Sequence, residues 1–205
     1  LALRRSLLEN AAAARAGRWS AAPTFTLHDH RIDDVGAATF AIIGFGSIGR
    51  AVADLARSFG AEVVIAERRG APPRPGRVAF DEALARADVV SLHCPLTPET
   101  RGLLGAAEIA RMPPGAMLIN TARGALVDTK ALVDALRAGR LRGAALDVLD
   151  VEPPPASHPA LTDPPPNLVV TPHVAWASRS AQAELARQLA EDLEAFVAGA
   201  PVRVV

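Results

Sequence analysis

Phe40-Ala41-Ile42-Ile43 runs directly into Gly44-Phe45-Gly46-Ser47-Ile48-Gly49, and a helical pattern from Ile48 to Phe59 follows. An apolar strand, a glycine-rich turn and a helix, in that order, form the setting in which a Gly-x-Gly-x-x-Gly spacing holds a dinucleotide. Gly44 permits the tight turn, Gly46 lets the backbone come close to a pyrophosphate, and Gly49 lets the helix lie against the strand. Ser47 lies in the loop and Ile48 opens the helix, whose amino end attracts an anion through its unpaired N–H groups, so both are expected to contact the cofactor. A purely structural glycine loop fits the same spacing, so the residues downstream matter. The next apolar run, Glu62 to Ala66, is followed by Glu67, eighteen residues past Gly49. That is close to the place of an acid that takes the hydroxyls of an adenosine ribose. A carboxylate there repels a 2′-phosphate, which favours NAD. Arg68 and Arg69 come next and would pair with a phosphate if Glu67 turned aside, which keeps NADP open. As a plain surface feature the two arginines are a solvated loop.

Outward from this unit the rhythm repeats. Phe80 to Arg86 reads as a helix and Val89 to His93 as a strand, followed by Ala106 to Arg111, Met117 to Asn120, Thr129 to Gly139, Gly143 to Val148 and Leu168 to Pro172. Strands apolar on both faces and alternating with helices predict a doubly wound α/β fold, a Rossmann-type parallel sheet covered on both sides. The proline-rich stretches Ala71 to Pro75 and Pro153 to Pro166 are loops within it, because strands resume after each. Upstream, residues 1 to about 17 read as a helix closed by Gly17, and an irregular polar stretch leads to Gly36. Downstream, Leu185, Leu189, Leu193 and Phe196 give Ser178 to Val197 the stripe of an amphipathic helix.

Composition narrows the partners. The 22 basic and 22 acidic side chains balance, which removes the cationic field that nucleic acid or an anionic membrane needs. No apolar run approaches the length of a membrane span. The lone cysteine, Cys94, excludes a disulfide framework and, with His28, His30, His93 and His158 lacking ligand spacing, predicts no metal site. A reducing, cytoplasmic compartment and a small-molecule partner are expected. The chain opens on Leu1 inside an amphipathic pattern, and its amino end reads as cut.

Four further blocks converge on one resemblance. Asn120-Thr121-Ala122-Arg123-Gly124, then Ala145-Leu146-Asp147-Val148 leading to Glu152-Pro153, then Thr171-Pro172-His173-Val174-Ala175-Trp176 stand in this order, with Ser91-Leu92-His93-Cys94-Pro95-Leu96-Thr97-Pro98-Glu99-Thr100 before them. Together they resemble the D-isomer-specific 2-hydroxyacid dehydrogenase family, from about Trp19 to the carboxyl end. Ile65-Ala66-Glu67-Arg68 and the residues from His173 to Ser178 are most similar to its glycerate dehydrogenase, or hydroxypyruvate reductase, branch. The resemblance implies hydride transfer between NAD(P)H and a small 2-keto or 2-hydroxy acid, with Arg123, Glu152 and His173 as the catalytic set. The residue types suit that work. Arg123 offers a fixed charge and a planar donor fork for the substrate carboxylate and carbonyl. His173 changes charge near neutrality and can pass the proton. Glu152 would pair with His173, fix its tautomer and keep its acid form populated.

The same resemblance assigns cofactor contacts to Cys94, Pro95, Thr100, Thr121, Ala122, Asp147 and Ala175 besides the glycine loop. Asp147 would reach the nicotinamide carboxamide or its ribose. Cys94 has no base near it in sequence and reads as inert. By the same resemblance residues 1–17 are the helix between domains, 18–177 the dinucleotide-binding domain, and 178–205 a terminal helix packing back on a substrate domain. Little of that substrate domain is present, so weak catalysis and exposed apolar residues on the last helix are expected, and a homodimer is implied. Glyoxylate/glycolate and phosphoglycerate are the neighbouring substrates. A dinucleotide-sensing protein of corepressor type and a non-catalytic remnant are the competing classes.

Overall fold

The computed structural model describes residues 1–204, and they divide into two compact units, Leu1–Thr171 and Pro172–Val205. The first is built on six parallel strands: β1 (Thr39–Ile43), β2 (Glu62–Ala66), β3 (Val89–Leu92), β4 (Met117–Asn120), β5 (Gly143–Leu146) and β6 (Leu168–Val170). Their order across the sheet is β2-β1-β3-β4-β5-β6. The chain therefore winds outward from β1 to β2, then crosses to the other side of β1 for β3 and continues in one direction. The reversal lies between β1 and β3, the kind of place where open parallel sheets leave a crevice for a ligand at the strands' carboxyl ends.

Helices α2 (Ser47–Ser58), α3 (Phe80–Arg86), α4 (Ala106–Arg111) and α5 (Thr129–Arg137) connect the strands. In α2 the buried residues are Gly49, Ala53 and Ala56, a stripe of small side chains at helical spacing that lets the helix axis lie near the sheet. In α5 the stripe is Thr129, Leu132, Val133 and Leu136, a wider apolar face. Asp128 caps α5 by accepting the Ala131 N–H at 3.0 Å, and Gly139 leaves it at φ 67°, so start and stop chemistry agree with the apolar pattern. All four residues of β3 are buried. Its Val90 and Leu92, with Leu84, Leu104, Ile109, Leu118 and Leu126, belong to the continuous core, each large side chain contributing about 1.5–3 kcal/mol by leaving water.

Helix α1 (Leu7–Arg15) is shorter than expected. Ser6 takes φ 45°, and its hydroxyl donates to Arg31 O at 2.7 Å, so the backbone of residues 1–6 turns away before the helix begins. Gly17, at φ 75°, closes it as expected. Arg142, at the foot of β5, ties this region down: its guanidinium pairs with Asp33 and donates to the carbonyls of Arg4 and Arg31. Residues 1–17 thus belong to the first unit.

The second unit carries α6 (Arg179–Val197), capped by Ser178 Oγ accepting from the Ala181 N–H at 3.1 Å. Leu185, Leu189, Leu193 and Phe196 are all exposed, Phe196 by 73%, which agrees with the expectation for this helix. Among the described residues no helix is long and apolar enough to cross a membrane.

Candidate functional site

Parallel pairing brings the strand ends to one edge. Register partners Ile43 and Ala66, Ile43 and Leu92, Leu92 and Asn120, and Asn120 and Leu146 place the carboxyl ends of β2, β1, β3, β4 and β5 side by side. Glu67, Gly44, His93, Thr121 and Asp147 each follow one of these ends. Residues scattered over a hundred positions of sequence therefore share one edge of the sheet.

The three glycines of the loop do three different things. Gly44 takes φ 94° and a Cβ on it would stand 2.4 Å from Cys94 N, so only glycine lets the β1 and β3 ends close on each other. A Cβ on Gly49 would stand 2.1 Å from Gly44 O and 3.3 Å from Ile42 Cγ2, which is the close approach of helix to strand read from the sequence. A Cβ on Gly46 would meet nothing within 4 Å. Gly46 is the N-cap of α2 and offers no side chain to the first-turn N–H groups, and Ser47 and Ile48 beside it are exposed. Open space over an uncapped helix amino end is what a pyrophosphate fits. The residues present therefore suit a dinucleotide.

The loop after β3 is self-supporting. Thr100 Oγ1 donates to Pro95 O at 2.8 Å and accepts from the Thr97 N–H at 2.7 Å, so the hydroxyl expected to face the cofactor holds its own loop together. Burial pushes the Cys94 thiol up from its ordinary value and the His93 imidazole down, and Ser91 Oγ lies 2.8 Å from His93 Nε2. A thiol held protonated is a poor nucleophile, in keeping with an inert Cys94.

Arg123 stands on a turn whose organiser the sequence reading passed over. Asn120 is fully buried. Its side-chain amide donates to Arg123 O at 2.9 Å, and its carbonyl accepts from the Ala122 N–H at 3.0 Å. An asparagine ending an apolar strand, just before a turn, is the signal that could have found it. Thr121 and Arg123 are exposed and Ala122 is half-buried. A Cβ on Gly124 would stand 1.9 Å from Leu149 C and 2.1 Å from Leu149 O, so this turn presses directly on the loop after β5. On that loop Glu152 Oε1 accepts from the Leu149 N–H at 2.8 Å. Gly124 thus brings the Arg123 turn and the Glu152 loop together. His158, 5% exposed, anchors the far end of the loop: Nδ1 accepts from the Ala160 N–H at 3.2 Å, which leaves Nε2 to donate to Asp150 Oδ1 at 2.8 Å.

Asp147 is buried at the end of β5 and accepts from Thr171 Oγ1 at 2.5 Å. His173 and Ala175 belong to the second unit and are exposed. His173 is held at φ 53°, and its carbonyl accepts from Trp176 Nε1 at 3.0 Å. A non-glycine residue in the left-handed region costs about 1–3 kcal/mol and persists where its surroundings fix it.

At the end of β2, Glu67 is not turned outward. Arg74 donates to it through Nε at 2.6 Å and Nη2 at 2.7 Å, and the Arg68 N–H at 2.9 Å. The Arg74 fork, with the Arg68 N–H, holds the Glu67 carboxyl down at about 2. Arg69 pairs with Glu108, and Arg68 has no ion-pair partner among the described residues.

Comparison with known proteins agrees with this geometry. Residues 1–175 match the family described as D-isomer specific 2-hydroxyacid dehydrogenase, NAD binding domain. The chain is similar to a glycerate dehydrogenase of Methylorubrum extorquens, 43% identical over 204 residues, covering 100% of this chain and 64% of that protein. It is also similar to a hydroxypyruvate reductase of Blautia hydrogenotrophica, 35% identical over 193 residues, covering 92% and 59%. Among solved structures, the TT0316 protein from Thermus thermophilus superposes with a TM-score of 0.85 at 44% identity, covering 98% of this chain and 64% of that one. The chain thus spans about 64% of the length of the first of these relatives.

Proposed function

We propose, from the premise that the chain belongs to the D-isomer specific 2-hydroxyacid dehydrogenase family through its NAD-binding domain, that it moves a hydride between a nicotinamide dinucleotide and a small 2-keto or 2-hydroxy acid, hydroxypyruvate and D-glycerate foremost. The observation that carries this reading is the contact at Gly124, where a Cβ would stand 1.9 Å from Leu149 C. It sets an arginine turn and an acid-bearing loop against each other at the carboxyl edge of a sheet that also presents the glycine loop.

In this reading Gly44 to Gly49 receive the pyrophosphate at the amino end of α2, and Thr121, Ala122 and Asp147 flank the nicotinamide half. The bound nicotinamide supplies the hydride. Arg123 holds the substrate carboxylate and polarises the carbonyl with a fork of fixed positive charge. His173 gives the proton to the carbonyl oxygen on reduction and takes it back on oxidation. Glu152 orients that imidazole, as the order of the three residues in the family motif supports. Hydroxypyruvate and D-glycerate come first because the similar proteins from Methylorubrum extorquens and Blautia hydrogenotrophica carry the names glycerate dehydrogenase and hydroxypyruvate reductase. The reading takes residues 18–177 as the dinucleotide-binding domain, with α1 and α6 leading toward a substrate domain. It includes a homodimer in the cytoplasm, which the lone Cys94 suits.

The test is the loss of NADH or NADPH absorbance on adding hydroxypyruvate, with Arg123→Ala beside the unaltered chain. Turnover that disappears in the variant supports the reading. Dinucleotide binding without turnover on any 2-keto acid, both in this chain and in one extended at its amino end, refutes the catalytic part and leaves a nucleotide sensor.

A further inference from the structure

The ordinary reading of an acid at the end of β2 is that it takes the ribose hydroxyls and selects NAD. The site's own geometry opposes that. Ala66 pairs with Ile43, so Glu67 leaves the sheet beside Gly44, at the proper place, yet its carboxylate is already spent. One oxygen accepts from the Arg68 N–H and Arg74 Nη2, and the other from Arg74 Nε. Arg77 Nη1 stands 3.7 Å away, and the Glu67 side chain is 2% exposed. A ribose diol would have to displace a bidentate guanidinium, the stronger of the two partners.

The loop that carries Arg74 is built rather than loose. The Glu67 N–H donates to Val78 O at 2.8 Å and the Val78 N–H to Ile65 O at 3.0 Å, closing residues 67–78 at the base. Gly70 and Gly76, at φ 74° and 76°, make its two bends. Within it four arginines stand against one glutamate. Arg69 is committed to Glu108, and Arg68 and Arg74 are exposed. With Glu67 neutralised beneath the fork, the outward face is cationic.

We infer, resting on the dinucleotide-binding reading above, that this loop is a phosphate reader: Arg68 and Arg74 pair with the 2′-phosphate of NADPH, and Glu67 serves as the buried counter-ion that holds Arg74 in place. Arg74 is then the residue that sets cofactor preference. Glu67 opens to a ribose only when Arg74 is gone.

Isothermal titration of NADPH and NADH into the full chain, at low and at high salt, tests this. NADPH should bind about tenfold or more tightly than NADH, the worth of one charged hydrogen-bonded pair, and should lose more affinity to salt. Arg74→Ala should weaken NADPH by a similar factor and tighten NADH, because the carboxylate is uncovered. Arg68→Ala should weaken NADPH alone, and thermal unfolding of each variant shows that it is folded. Tighter binding of NADH by the unaltered chain, or an unchanged preference in Arg74→Ala, overturns the inference and leaves the dehydrogenase reading standing. Binding of neither dinucleotide overturns both.

Discussion

Two glycines three residues apart should respond in opposite ways to the same added methyl. In Gly49→Ala the new Cβ would stand 2.1 Å from Gly44 O. Ordinary contact begins at about 3.5 Å, so the start of α2 has to retreat by more than about 1 Å from the end of β1. Neither backbone can swing aside as a side chain would, and overpacking of this kind costs about 2 kcal/mol. For a chain of this size that lowers the melting temperature by about 4–8 °C. In Gly46→Ala the Cβ meets nothing within 4 Å, and φ −82° suits any residue. Alanine is a poorer N-cap than glycine but restricts the unfolded chain, so the two effects offset to within about 0.5 kcal/mol. The methyl fills the space over the helix amino end instead, and dinucleotide affinity should fall by about tenfold or more, or at least about 1.4 kcal/mol. Differential scanning fluorimetry with and without dinucleotide reads both quantities at once. A Gly46→Ala protein that binds normally, or a Gly49→Ala protein with an unchanged melting temperature, would refute the assignment of roles.

Other perturbations reach the rest of the edge. Asn120→Ala removes two hydrogen bonds of a fully buried side chain, and should cost about 2–3 kcal/mol in denaturant unfolding. Gly124→Ala drives a methyl into Leu149; turnover with hydroxypyruvate should drop by about a hundredfold, as a 1 Å misplacement of Arg123 would give, with a far smaller change in dinucleotide affinity. Glu67 is held at about 2 against an ordinary 4.5. A carboxyl lowered on folding stabilises fully above 4.5 and loses that contribution as pH falls towards 2. Melting curves of Arg74→Ala should accordingly fall less steeply than those of the unaltered chain over that window.

What the sequence showed and what it hid divide along a physical line. The strands, α2 to α6, the turn at Gly44 and the close packing at Gly49 were legible because each rests on local features: apolar periodicity, an N-cap, a tight turn. The shortened α1 was not, because Ser6 is drawn away by Arg31 across a tertiary contact. Glu67 was legible as an acid in the right place but not as one already engaged, since Arg74 reaches it only because the loop folds back on Val78. His158 stood out in the sequence only as lacking metal-ligand spacing, yet it is the buried anchor of the Glu152 loop. Gly124 gave no local signal, for its partner Leu149 lies on another strand's loop.

The central claim is that the carboxyl edge of this sheet is a single dinucleotide site, and amide chemical-shift mapping tests it most directly. Adding NADPH to the isotopically labelled chain should move the amides of Gly44 to Gly49, Cys94, Thr121, Ala122 and Asp147 as one saturable set. Shifts confined to another surface, such as the groove between α4 and α5, or none at all, would contradict it.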